Sequence, residues 1–109
     1  MEKILKGERK MEAENYEWKT TFRQDFAIAD AFGKRAVEDT YKNSLEFALS
    51  DPEYFAEFVC VLNWGIWNNY KEDESLARVY DKLWREADEM IYTKFPRKED
   101  RAKILEFLD

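Results

Sequence analysis

Asp51-Pro52-Glu53-Tyr54-Phe55-Ala56-Glu57-Phe58-Val59-Cys60-Val61-Leu62-Asn63-Trp64-Gly65-Ile66-Trp67-Asn68-Asn69-Tyr70 is the stretch on which the fold turns. It opens with a strong helix start. Asp51 can cap, Pro52 suits the first helical position, and Glu53 complements the helix dipole. At about 100° per residue, Phe55, Val59, Leu62 and Ile66 fall within roughly 60° of one another and mark the core direction. Phe58 and Tyr70 flank them, and Trp67 lies at the boundary. Trp64 falls on the opposite side, near Glu57, Asn68 and Lys71, and Tyr54 and Val61 are also off the core direction. Gly65 would let a ring or another backbone approach closely. Two readings of Trp64 follow. Either the fold wraps this helix on several sides and covers the ring, as for a helix apolar all round, or Trp64, Tyr54, Val61 and Trp67 form a contact patch for a partner.

Outward from this helix, the chain reads as helical throughout. A capping pattern at Thr21 and Gln24 opens a helix over about 21–33, which carries Phe22, Phe26, Ala29 and Phe32 and ends at Gly33. A second helix follows over 34–49, with Val37, Tyr41, Leu45 and Ala48 on one face. The helix beginning at Pro52 is expected to run to residue 71. After the short polar connection Lys71–Glu74, Leu76, Val79, Tyr80, Leu83, Ala87, Met90 and Ile91 form the clearest 3.6-residue stripe of the chain, over 75–95. Pro96 stops it, and residues 97–108 allow a short last helix. The expectation is an all-α bundle of four main helices in one domain over 20–109, preceded by a charged, variable leader over 1–19.

The totals agree. Three Gly and two Pro in 109 residues argue against a turn-rich β-protein. The aromatic share of 17% means that large rings supply much of the core. The net charge is −6, so a nonspecific nucleic-acid surface or attachment to an anionic membrane is disfavoured. One cysteine, Cys60, excludes an internal disulfide framework and favours the cytoplasm. There is no apolar leader of the signal-peptide kind and no apolar run long enough to span a bilayer.

Polar residues on apolar arcs form a second set of candidates. Asp25 lies between Phe22, Ala29 and Phe32, and an unpaired buried carboxylate is costly, so Asp25 should find a cation, a tyrosine hydroxyl or a capping role. With Asn63, Asn69, Tyr41 and Tyr80 it reads as a buried hydrogen-bond network. Enzymatic chemistry is thinly represented. No histidine is present, which removes Ser-His-Asp and Cys-His arrangements and most zinc sites. No phosphate-binding glycine loop occurs. Glu86 and Glu89 have the E-x-x-E spacing seen in all-α magnesium-dependent nucleotide hydrolases, and Glu53 and Glu57 are four apart, but Glu86 and Glu89 point away from the core stripe. No catalytic residue, metal, cofactor or small-molecule substrate is therefore expected.

Thr20–Thr40 (TTFRQDFAIADAFGKRAVEDT) and Val61–Asp88 (VLNWGIWNNY…LARVYDKLWREAD) resemble a group of small uncharacterised helical proteins carried by phages and mobile elements of gut Firmicutes. The resemblance implies a cytosolic accessory protein. The leading expectation is a non-enzymatic module that binds a protein or itself. An acidic nucleic-acid mimic that inhibits a nucleic-acid-binding protein is the alternative, and a magnesium-dependent hydrolase the third.

Overall fold

The computed structural model describes residues 16–109, and most of the leader expected over 1–19 falls outside them. Among the described residues the fold is all-α, with five helices: α1 (Phe22–Phe32), α2 (Lys34–Leu49), α3 (Pro52–Asn69), α4 (Glu74–Thr93) and α5 (Lys98–Leu108). None is long and apolar enough to cross a membrane.

The helix ends follow local chemistry. Asp51 accepts a hydrogen bond from Glu53 N at 2.8 Å, the N-cap anticipated for α3. Asp73 does the same for α4, accepting from Leu76 N at 3.1 Å, so this helix starts at Glu74 rather than Ser75. The expected capping box at Thr21 and Gln24 does not form. Thr21 Oγ1 instead donates to Asp25 at 3.0 Å. Gly33 has φ +107°, and it joins α1 to α2 with no intervening residue. A Cβ there would meet no neighbouring atom, so backbone conformation alone selects glycine.

α3 is the centre of the structure, and each of the other four helices packs against it. The short last helix expected over 97–108 is present as α5, and it forms an integral wall of the globule. It lies chiefly on α3 and only lightly on α4, and buries Ile104 and Phe107. From Phe55 to Leu62 every residue of α3 is buried. Two-sided burial explains why this helix lacks a polar face.

The core is built largely of rings. Phe58 meets Phe22, Tyr41 and Phe55 at centroid distances of 5.1, 5.3 and 5.8 Å, and Phe55 meets Phe95 at 5.3 Å. Edge and tilted contacts of this kind add to area burial. α4 reaches α3 most closely at Gly65, where a Cβ would lie 2.3 Å from the Tyr80 ring. Tyr80 is 1% exposed, so its ring cannot swing aside. Gly65→Ala is expected to destabilise the protein by about 1–3 kcal/mol through overpacking, read as a lower urea midpoint at unchanged m.

Candidate binding cleft beside the central helix

The cleft starts from a buried carboxylate. Glu57 is 0% exposed and has no cation paired with it among the described residues. Instead it accepts four hydrogen bonds from the chain leading into α1. Tyr16 Oη lies at 2.5 Å and Lys19 N at 2.9 Å from one oxygen. Thr20 Oγ1 at 2.6 Å and Thr20 N at 3.0 Å serve the other. Burying a carboxylate demands such donors. The consequence is geometric: residues 16–19, assigned to a leader from the sequence, are tied with Thr20 onto α3.

That tie covers Trp64. The Trp18 ring packs edge-on against Trp64 at 5.7 Å, and the Arg23 guanidinium lies 5.4 Å from the Trp18 centroid and 5.6 Å from that of Trp64. Trp64 is consequently half-buried, and its Nε1 is enclosed without an acceptor among the described residues. Val61 is 4% exposed. Tyr54 is half-buried and stacked on Phe47 at 4.9 Å. These three therefore do not make one open patch. Of the four contact candidates, Trp67 stands out at 57% exposed, with the exposed Tyr70 ring 5.3 Å away.

The polar set also rearranges. Its carboxylate is Asp30, not Asp25. Asp30 Oδ1 accepts from Tyr80 Oη and from Asn69 Nδ2, both at 2.9 Å. Asn69 Nδ2 also donates to Gly65 O at 2.9 Å, which closes the group onto the α3 backbone. Asp25 is satisfied by Thr21 at the start of its own helix, Asn63 is half-buried apart from these bonds, and the buried Tyr41 hydroxyl, near Glu86, lies beyond hydrogen-bond distance of any acceptor among the described residues. Burial, followed by the Asp30 charge, pushes the Tyr80 hydroxyl well above its ordinary range. Burial and then the hydrogen bond to Glu57 do the same for Tyr16, and burial and then the Glu86 charge for Tyr41.

The cation–π contact of Arg23 with Trp64 and the hydrogen bond from Asn69 to Asp30 place α1 and α3 side by side in the same direction. Between them lies a cleft of about 580 Å³. Arg23, Ala27 and Asp30 form one wall, Trp64 and Trp67 the other, and Tyr80 closes it. Such a volume suits a ligand or a few partner side chains. The cleft combines ring faces with one guanidinium and one carboxylate, which is equipment for binding. No cluster of potential metal ligands occurs among the described residues. Glu57 is committed to its four donors, and Glu53, Glu86 and Glu89 are exposed.

Glu57, Asp30, Trp18 and Arg23 were not among the expected site residues. A signal existed for the first two. Glu57 stands on the stripe Tyr54, Val61, Trp64, an acid among large apolar neighbours. Asp30 follows Phe26 by one turn and adjoins Ala29. No family model, curated protein or solved structure matches the chain.

Two predictions follow from these bonds. Glu57→Gln, which exchanges an acceptor oxygen for a donor, is expected to cost about 1.5–3 kcal/mol, with an accompanying change in tryptophan emission as Trp18 shifts over Trp64. Equal urea midpoints for wild type and variant would contradict the tie. The tyrosine shifts set an alkaline limit. Tyr16, Tyr41 and Tyr80 are raised in the folded state, so their contribution is complete below the unfolded value of about 10 and is lost as pH rises toward the folded values. Denaturation midpoints are therefore expected to hold steady to about pH 9 and to fall beyond about pH 10, less steeply in Tyr41→Phe.

Proposed function

We propose that this protein is a non-enzymatic protein-interaction module that engages a protein partner through Trp67, Tyr70 and the cleft beside them. The carrying observation is the exposure of Trp67, 57%, on the helix that is otherwise the most deeply buried element. Leaving a tryptophan in water forgoes a large burial gain, and tryptophan and tyrosine are the side chains that anchor interfaces most often. Tyr70, 42% exposed, widens the patch, and Asn68 supplies a polar edge. The resemblance of Thr20–Thr40 and Val61–Asp88 to phage and mobile-element proteins fits an accessory role in the bacterial cytoplasm.

The test is affinity capture from the native cell with wild type and Trp67→Ala, alongside sedimentation at several concentrations. Trp67 is 57% exposed, so the variant is expected to keep its helical circular dichroism. Loss of a captured protein by about tenfold or more supports the reading, as does loss of a concentration-dependent dimer. Undiminished capture and unchanged association by the variant would refute it.

A further inference from the structure

Charge in the cleft is laid out as a pair. Arg23 and Asp30 stand seven residues apart on α1, two helical turns, which separates them by about 10 Å along the axis. Both line the cleft, and neither takes part in an ion pair among the described residues. Asp30 Oδ1 is occupied by Tyr80 and Asn69, whereas Oδ2 accepts no hydrogen bond from any described residue. The Arg23 guanidinium rests on two indole faces, which hold it in place while leaving its N–H groups unused by carboxylates. Between the two charges the wall is Ala27, exposed and small, so an incoming backbone can come close. The opposite wall is aromatic.

We propose that the cleft is a docking groove for a helical segment of a partner protein, one that presents a carboxylate to Arg23 and a lysine or arginine to Asp30, two turns apart, with an apolar side chain between them over Ala27 and against Trp67. This rests on the interaction-module reading and names the partner's chemistry. The complement is specific in sign. An all-acidic segment meets Asp30, an all-basic one meets Arg23, and like-charge contacts select against both. A helix supplies the spacing directly, since positions i and i+7 lie on one face about 10 Å apart. Oδ2 as the one unoccupied oxygen favours an end-on donor over a bidentate fork.

The probe is a panel of synthetic helix-stapled peptides, titrated against the whole protein and followed by tryptophan emission. One peptide carries Glu and Lys seven residues apart around a central Leu. The others carry two Glu, two Lys, or Glu and Lys four apart. The seven-apart mixed peptide is expected to bind at least fivefold more tightly than the rest. Arg23→Gln should erase the advantage over the two-Lys peptide, and Asp30→Asn, which keeps an oxygen for Tyr80 and Asn69, the advantage over the two-Glu peptide. Equal affinity across the panel, no binding by any peptide, or indifference to both variants would overturn the proposal. So would a dimer in sedimentation that Arg23→Gln and Asp30→Asn dissolve, since the occupant would then be a second copy of the chain. Capture through Trp67 with no peptide preference removes this inference and leaves the module reading intact. Peptide preference with capture independent of Trp67 supports the charge complement of the groove and refutes Trp67 as the anchor of the module.

Discussion

A carboxylate with no access to solvent sits on the second turn of α3, and the chain entering α1 is bent to satisfy it. Among the described residues Glu57 has no lysine or arginine paired with it, and its stabilisation comes from two backbone amides, a threonine and a tyrosine hydroxyl. Few arrangements offer four donors to one side chain, and this one fixes the path of residues 16–20. Trp18 then falls on Trp64, Arg23 on both, and the cleft acquires its upper wall. The fold's most polar interior contact and its most prominent surface feature are thus one construction.

At the other end of the same cleft a second carboxylate acts differently. Asp30 is half-buried and shares one oxygen between Tyr80 of α4 and Asn69 of α3, which locks α1 to both. Gly65 lets the Tyr80 ring lie against the α3 backbone, and the Asn69 amide returns to Gly65 O, so ring, amide and glycine are one packed unit. Removing a side chain from α3 at that point is what lets α4 approach. The aromatic floor and the charged wall of the cleft share these supports. A surface held by core contacts in this way has little ordering entropy left to lose.

Helix content and most helix ends were legible in the sequence because they rest on local chemistry. Asp51-Pro52, Gly33 and Pro96 act within a few residues of themselves. The Thr21–Gln24 box failed for the same physical reason in reverse, since Thr21 found Asp25 instead. Periodicity placed Phe55, Val59 and Leu62 inside and left open whether Trp64 is covered. It misjudged Glu57, which a wheel treats as one more surface acid, and it favoured Asp25 over Asp30 because it weighs neighbours on one helix and not hydroxyls from another.

By itself the sequence determined an all-helical chain with an acidic body, a central helix apolar on both sides and no histidine-based chemistry, since composition and 3.6-residue spacing suffice for these. Which carboxylates go inside, what lies over Trp64 and which indole remains in water were decided only by tertiary structure. Those outcomes depend on donors 37 to 50 residues distant along the chain. A buried charge is settled by whatever the fold brings within hydrogen-bond reach, and no local pattern carries that information.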